Sequence, residues 1–368
     1  MREPQELTVL VTGVGGRSVG HQVLQALRLS ATRYHILCTD ADPFSFGLYE
    51  GDARALVPLA TSPAYADAIC ELVARHRVAV VIPGTEPEVL ALSAMRARLE
   101  ALGAVLIASP PDAVALCSDK MRLHDWLAAH GYGTPRSATA QDWRGLAEAV
   151  GFPLVGKPTR QSGGSRGVAI LANEAEVEDY IAHFPGDPAA LAIQEYVGDA
   201  DNEFTVGVMV SRAGAAIDSI VLRRKLIGLS LGASRDLPGG AAVLSTGYSQ
   251  GFIVADDEIS AFCERLAVEI GARGPLNVQL RRTAQGIKVF EVHTRFSGTA
   301  SIRASAGFNE PDTAIRDQVL GEAVGRQNHR TGVAAIRAFT ARLVPIAEMD
   351  ALPRAPSGED WQPAGLKR

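Results

Sequence analysis

The sequence predicts a mixed architecture, an α/β region followed by an α+β region, and three observations carry that reading. The amino-terminal stretch alternates short apolar strands with amphipathic helices, the pattern of a parallel sheet covered on both faces. Further on, strand-like segments come in adjacent pairs, which signals antiparallel hairpins. With 368 residues, 47% hydrophobic and 21% charged, the chain can fill two or three cores.

The elements follow in order. "LTVLVTGVGG" reads as a strand running into a turn, and "HQVLQALRLS" as the helix after it. Then come the strand "YHILCTD", the helix "AYADAICELVARH", the strand "VAVVIPG", one long helix "EVLALSAMRARLEALG" and the strand "AVLIAS". We end this unit at residue 112. In "SDKMRLHDWLAAHGYGTP", Ser118 is placed to cap a helix and Gly131 to end it. A helix "QDWRGLAEAVG" feeds the strand "FPLVGKP", and paired strands "GVAILA", "AIQEYV", "EFTVGVMV" and "AIDSIVLRRK" follow, with helices at "EAEVEDYIAHF" and "DDEISAFCERLAVEIG". The segments divide as 1–112, 113–197 and 198–349, with 350–368, rich in Pro, Gly and charge, expected as a loose tail.

Composition excludes several classes. A net charge of -5 argues against a nucleic-acid partner, and no apolar run is long enough to span a bilayer. Cys38, Cys70, Cys117 and Cys263 are scattered, without the spacing of a zinc site or disulfide framework, so a reducing, cytoplasmic setting is expected.

Four motifs suggest chemistry. "GVGGRS" (Gly13–Ser18) turns a strand into a helix, and Asp40 ends the next strand, as in dinucleotide folds. The full GxGxxG spacing is missing, with the third glycine displaced to Gly20, so we read this turn as bordering a substrate pocket. In "KPTRQSGGSRGV", Lys157 ends a strand before a glycine loop whose backbone suits phosphate oxygens, although a solvent-exposed hairpin reads equally from these residues. Around "IQEYVGDADNEFTVGV", the backbone at Glu195, Tyr196 and Val197 suits a purine and Glu203 a ribose, and a hairpin with solvated acids accounts for the same residues.

The strongest motif is the hairpin "NVQLRRTAQGIKVFEVHTRF". A three-residue loop Ala284–Gln285–Gly286 pairs Thr283 with Ile287, which sets Gln279 opposite Glu291 and Asn277 opposite His293. With Arg295, these side chains share one sheet face, where burying each polar group without a partner would cost about 1–3 kcal/mol. Gathered oxygen ligands beside a cation suit a hard metal holding phosphates.

Taken in order, these pieces resemble the ATP-grasp superfamily, most closely its carbamoyl phosphate synthetase large-subunit branch, from about Thr8 to Ala347. The resemblance implies a Rossmann-like N-terminal domain followed by a two-subdomain ATP-grasp fold with ATP between the subdomains. It implies phosphate contacts from Lys120 and Lys157, an adenine hinge at Gln194, Glu195, Tyr196 and Val197, and a ribose contact at Glu203, with Asp201 competing. Gln161, Ser162, Gly163, Gly164 and Ser165 would close over the phosphates. Gln279 and Glu291 match the family's magnesium ligands, and Arg295 its phosphoryl-stabilising arginine. The family's Glu-x-Asn-Pro-Arg reads Glu291-Val-His293-Thr-Arg295 in this chain, so His293 stands where an oxygen ligand is usual; it suits a softer metal, or a phosphate or substrate contact.

The chemistry implied is ATP-dependent activation of a small carboxylate as an acyl phosphate that an amine attacks, with Mg2+ and alternatively Mn2+ as metal. The catalytic candidates are Lys157, His293 and Arg295. Arg303, or Arg223 and Lys225 of the Arg223–Arg224–Lys225 run, is assigned to the substrate carboxylate, and Leu231–Gly240 to a flexible loop over the acceptor. Three rivals stand beside this reading: a carbamate- or bicarbonate-phosphorylating enzyme, a non-catalytic ATP-binding module and a nicotinamide-dependent oxidoreductase. A homodimer accords with the superfamily.

Overall fold

A computed structural model describes residues 6–160, 167–237, 240–356 and 361. The first unit contains β1 (Leu7–Thr12), α1 (Val19–Arg28), β2 (Tyr34–Asp40), β3 (Ala53–Leu56), α2 (Tyr65–His76), β4 (Val80–Ile82), α3 (Glu86–Ala94), α4 (Arg96–Ala101) and β5 (Val105–Leu106). Its sheet is parallel throughout, in the order β3-β2-β1-β4-β5. Strand alternation sorts the core by face. Val9, Val11, Ile36, Cys38, Val80 and Ile82 pack on the α1 side, whereas Leu10, Leu37 and Val81 pack under α2 and its neighbours.

The strand order reverses between β1 and β4, and in open sheets of this kind ligands bind beyond the carboxyl ends of the strands at that point. Gly20 fixes the geometry there: a Cβ on it would collide with the carbonyl oxygens of Thr12 and Gly13, so α1 can sit this close to β1 only with glycine. The displaced third glycine of the sequence motif thus serves helix–strand packing. The expected long helix is two, α3 and α4, broken at Met95. Arg96 turns back there to donate to the carbonyls of Leu106 (3.1 Å) and Ala108 (2.7 Å).

α5 (Pro111–Cys117), which the sequence reading missed, precedes α6 (Lys120–Ala129). The cap of α6 is Asp119 rather than Ser118, its carboxylate accepting from the backbone N–H groups of Met121 and Arg122, and Gly131 follows the helix at φ 75°. Next come β6 (Ser137–Thr139), α7 (Trp143–Val150), β7 (Leu154–Pro158), β8 (Ala169–Leu171), α8 (Glu174–Ala182) and β9 (Leu191–Glu195), forming an antiparallel sheet ordered β6-β9-β7-β8. It has a small core of its own, centred on Trp143, Leu146, Leu154, Val177 and Ile193.

The larger unit contains β10 (Glu203–Val210), β11 (Ala216–Arg224), β12 (Leu231–Leu237), β13 (Gly240–Ser245), β14 (Gly251–Val254), α9 (Asp257–Glu269), β15 (Gly274–Thr283), β16 (Gly286–His293), α10 (Ala300–Ser305), α11 (Glu310–Gln318), β17 (Val333–Ala335) and α12 (Ile346–Asp350). Six strands pair antiparallel as β16-β15-β10-β11-β14-β17. One face buries Val206, Val208, Val278 and Leu280 against Leu123 and Leu127 of α6 and Ile259, Cys263 and Leu266 of α9. The other face shares a continuous core with α1 and the first sheet, through Ile220, Phe296, Phe308 and Ile315.

Two expectations change. Within the expected loop Leu231–Gly240, the described residues Leu231–Leu237 and Gly240 are strand: β12 and β13 pair as an antiparallel ribbon, and Arg235 of β12 is ion-paired with Glu176 of α8, its Nη2 lying 2.7 Å from Oε1. The described residues 351–356 pack as well. Leu56 donates to the Pro353 carbonyl (2.7 Å), Ala355 donates to that of Leu56 (2.8 Å), and Leu352 and Ala355 are buried against the first unit. Apolar side chains at Leu352 and Ala355 give the segment a surface to bury, which its Pro- and Gly-rich composition conceals. Among the described residues no helix is long and apolar enough to cross a membrane.

Candidate active site

The β15–β16 hairpin carries the centre of the site, by a route the sequence reading did not foresee. Thr283 pairs with Gly286, so the turn is two residues long and the strands leave it one residue out of the expected register. A bulge between Gln279 and Leu280, opposite Phe290, then restores it, giving Gln279↔Glu291 and Asn277↔His293 as expected. The bulge has a second effect. Strict alternation would put Glu291 on the face of Ile287 and Val289; with the extra residue, Val292 joins those two in the core and Glu291 and His293 turn to the opposite side.

That side opens into a cleft between the two antiparallel sheets. Lys120, Lys157, Gln194–Val197, Glu203, Gln279 and Glu291 all line it, beside apolar Val155, Val168, Leu244 and Phe290. Lys120 stands at the start of α6, 3.7 Å from Glu291 Oε1. Lys157 Nζ donates to Gln194 Oε1 (2.8 Å) and to the Phe290 carbonyl (3.4 Å). Ser137 Oγ (2.8 Å) and His124 Nε2 (3.1 Å) engage the other end of the Gln194 amide, which aims its oxygen at the lysine. Burial and the neighbouring Lys120 pull the Lys157 ammonium down to about 7 against the opposing pull of Glu291. Burial likewise lowers His124 to about 3, so this ring is neutral.

Strand pairing in β9 ends at Glu195, and Tyr196 and Val197 continue along the cleft wall. Glu203 is buried and held on both oxygens: Arg224 Nη1 lies 3.0 Å from Oε1, and Arg281 reaches Oε2 through Nε (3.0 Å) and Nη2 (2.8 Å). Burial works against this carboxylate, yet the two guanidinium groups outweigh it and hold its pKa below the usual range. Arg281 also donates to the carbonyls of Val197 (2.9 Å) and Val243 (3.0 Å) and stacks on the Tyr196 ring, tying hinge, ribbon and sheet together. Sequence reasoning missed it; its signal was the cross-strand pair Glu203↔Arg281, visible only once β10 and β15 are aligned. Asp201 faces outward, paired with Lys225 at 3.0 Å.

A second cleft lies on the far side of Gln279 and Glu291, which line both. It runs from Asn277, His293, Arg295, Ser297 and Arg224 to the switch point of the first sheet, where Gly15–Val19 and Gly84–Pro87 form its wall. The "GVGGRS" turn therefore borders a pocket, as expected. Glu86, in the first turn of α3, is a second residue that sequence reasoning missed. Its Oε2 lies 3.1 Å from His293 Nδ1 and 3.7 Å from Arg295 Nη2, while His293 Nε2 lies 3.3 Å from Glu291 Oε2. Burial and Arg295 depress His293, but the carboxylates on either side prevail and its pKa is raised. Burial raises Glu86, but His293 and Arg295 outweigh it and draw it down to about 2; Glu291 is lowered well below the carboxylate range, where His293, Lys120 and Lys157 override burial. The only local signal for Glu86 was an acid following the strand-ending turn "PGT".

Three substrate assignments are corrected. Strand alternation turns Arg223 outward, over the Phe252 ring, and Lys225 outward onto Asp201, while Arg224 between them points in. Arg303 is fully buried, bonded to Glu310 (3.1 and 3.2 Å) and Asn277 Oδ1 (2.8 Å), and lines neither cleft. Gln161, Ser162, Gly163, Gly164 and Ser165 lie outside the described residues.

As to a metal, Gln279, Glu291 and His293 offer an amide, a carboxylate and an imidazole within one patch, Gln279 Nε2 lying 2.9 Å from Glu291 Oε2. Among the described residues no group of three His, Cys, Asp or Glu side chains is placed to hold an ion. The donor set thus fits an ion that takes its remaining ligands from a bound phosphate chain, and not a closed structural site.

Two antiparallel sheets gripping a lysine-lined cleft, set behind a doubly wound parallel sheet, define an ATP-grasp fold. Comparison with known proteins agrees. Residues 189–341 match the family described as "ATP-grasp in the biosynthetic pathway with Ter operon", and residues 9–107 match "PylC-like, N-terminal domain". Residues 189–341 thus match an ATP-grasp family, and the chain has the ATP-grasp fold. It is 27% identical over 265 residues to the carbamoyl phosphate synthase large chain of Mycobacterium bovis, covering 69% of this chain and 23% of that protein, so it spans about a quarter of that relative's length. In fold it resembles the biotin carboxylase domain of Hydrogenobacter thermophilus 2-oxoglutarate carboxylase, solved with MgADP, ADP and bicarbonate (TM-score 0.64, 16% identity, 89% of this chain and 73% of that one). It also resembles L-amino acid ligase from Bacillus licheniformis (TM-score 0.59, 16% identity, 85% and 74%).

Proposed function

We propose that the protein is an ATP-dependent ligase that activates a small carboxylic acid, an amino acid in the first instance, as an acyl phosphate and joins it to an amine, releasing ADP and phosphate. The observation that carries this reading is the shared wall of the two clefts. Gln279 and Glu291 face a lysine-lined pocket on one side and an arginine- and histidine-lined pocket on the other, so a phosphoryl group leaving the first arrives in the second.

Each residue then has a task. The hinge at Gln194–Val197 takes the adenine, and Glu203, which lines the same cleft, accepts from the ribose. Lys120 and Lys157 line the cleft where a polyphosphate tail would lie, and binding it restores the full charge of Lys157. Gln279 and Glu291, with His293, would hold magnesium or manganese, which when bound neutralises and orients the phosphate oxygens. Arg295 stands across the shared wall to stabilise charge on the transferring phosphoryl group, with buried Nε as a donor lacking a hydrogen-bond partner. The protein's contribution is positioning and charge neutralisation, which is most of what phosphoryl transfer requires.

The second reading, phosphorylation of bicarbonate or carbamate, is favoured by the similarity to carbamoyl phosphate synthase large chains. We further propose small-molecule partners, a homodimer on the precedent of the biotin carboxylase domain dimer, and a cytoplasmic setting, which the four free cysteines support. The test is a screen of acid–amine pairs for magnesium-dependent ADP release, followed by mass analysis of the product. ADP release that needs both acid and amine supports the ligase. Release driven by bicarbonate alone favours the second reading, and ATP binding without turnover on any pair overturns both.

A further inference from the structure

From residue 320 to residue 351 none is buried, and across 336–346 the large apolar side chains face water. Ile336 is 86% exposed, Phe339 70%, Leu343 99% and Ile346 61%, Phe339 staying so although it stacks on the Tyr248 ring. Polar side chains hold the segment down instead. Arg337 donates to the Ser249 carbonyl (2.9 Å) and to Gln22 Oε1 (3.0 Å). Arg342 donates to the Tyr49 carbonyl and lies over the Phe46 ring, and Arg54 pairs with Glu348 at 2.7 Å. Arg337 follows Ile336 and Arg342 precedes Leu343, so the guanidinium groups turn back onto the chain while the hydrocarbon turns outward. A strap covered only by its own chain should show the reverse, because removing apolar surface from water is the larger gain. Single exposed apolar residues are ordinary, but four grouped in so short a span mark a surface that another molecule covers.

Two observations select a second copy of this chain as the cover. The first is size: a stable interface takes about 20–30 residues a side, and the run 320–351 supplies a stretch of that order. The second is that the segment carries both halves of a contact. Arg342 lines a surface groove with Leu24, Leu29, Tyr49 and Ser305, and the next residue, Leu343, is the most exposed large apolar side chain among the described residues. A knob beside a hole on one face is self-complementary, since a two-fold axis between them seats each knob in the other copy's hole. We propose that two copies pair through the 336–346 segment, Leu343 of each entering the groove beside Arg342 of the other. This places the interface of the homodimer proposed above and rests on it, whichever acid and amine the enzyme joins. Through Arg337 and Gln22 the segment is tied to α1, whose amino end walls the second cleft, so pairing braces that wall.

The test is sedimentation velocity on the full chain over a range of micromolar concentrations. The wild type should sediment as a dimer. Leu343→Asp and Ile336→Asp should each weaken pairing by about 30-fold or more, the loss that marks a central interface residue. Val268→Asp, at an exposed apolar position on α9 across the large sheet, should leave the dimer as it is. Because all three side chains are exposed, the variants should keep the wild-type circular dichroism spectrum, which separates lost pairing from lost folding. A dimer that survives both Leu343→Asp and Ile336→Asp, or one that Val268→Asp breaks equally, overturns this interface and leaves the homodimer standing. A wild type that sediments only as a monomer overturns both, and the ADP-release screen judges the ligase reading independently.

Discussion

Replacing Arg303 by methionine asks whether this arginine serves the fold or the substrate. Its guanidinium is fully buried, with Glu310 oxygens at 3.1 and 3.2 Å, Asn277 Oδ1 at 2.8 Å and Thr205 Oγ1 at 3.5 Å. Methionine keeps much of the volume but leaves Glu310, also fully buried, without its counter-charge. Removing one partner of a buried pair costs about 3–5 kcal/mol. Glu310 can limit the loss by taking up a proton, and burial already raises its pKa against the pull of Arg303. In the variant its folded-state pKa rises further above the unfolded value. The native state then binds the proton more tightly, and stability falls as pH rises through the window above the ordinary glutamate range. Urea unfolding should show the full loss at pH 8 and a smaller one at pH 5, and Arg303→Met/Glu310→Gln should recover part of the pH 8 loss. A loss below about 1 kcal/mol, combined with a raised KM for the acid substrate, would refute the structural assignment and return Arg303 to the substrate pocket.

Other outcomes are equally concrete. Glu291→Gln should lower turnover by about 10²–10³-fold with an unchanged circular dichroism spectrum; wild-type activity would remove Glu291 from the metal site. Lys157 is charged below about 7, and in the function proposed above its charged form binds the phosphate tail. ATP affinity should therefore fall as pH rises above 7, by up to about tenfold per unit, with proton uptake in calorimetry that Lys157→Met abolishes. Gly20→Ala should destabilise the protein by about 1–3 kcal/mol through the clash with the Thr12 carbonyl, a loss readable in thermal melts.

Much of the lining of the cleft between the antiparallel sheets was legible because its residues lie on strands whose spacing is local information. Gln279 and Glu291 were paired correctly even though the turn was misjudged by one residue. The bulge opposite Phe290 absorbed the error because only that register keeps Val289 and Val292 buried together. Glu86 and Arg281 were not legible for the opposite reason. Each acts through a contact with a distant segment, Glu86 with His293 and Arg281 with Glu203, and no period within a segment encodes such a meeting. The substrate assignments failed through counting charge without facing: in Arg223–Arg224–Lys225, alternation alone sends the middle residue inward. Arg303 looked available because a lone arginine gives no sign of the glutamate seven residues on that neutralises it.

The rung between Leu56 and the Pro353–Ala355 segment has a practical bearing on anyone shortening this polypeptide. Trimming at residue 349 would bare the outer margin of the parallel sheet at β3, a row of amide and carbonyl groups open to recruitment by a neighbouring molecule. Such a clipped version should precipitate at concentrations where the form ending after residue 356 stays dispersed.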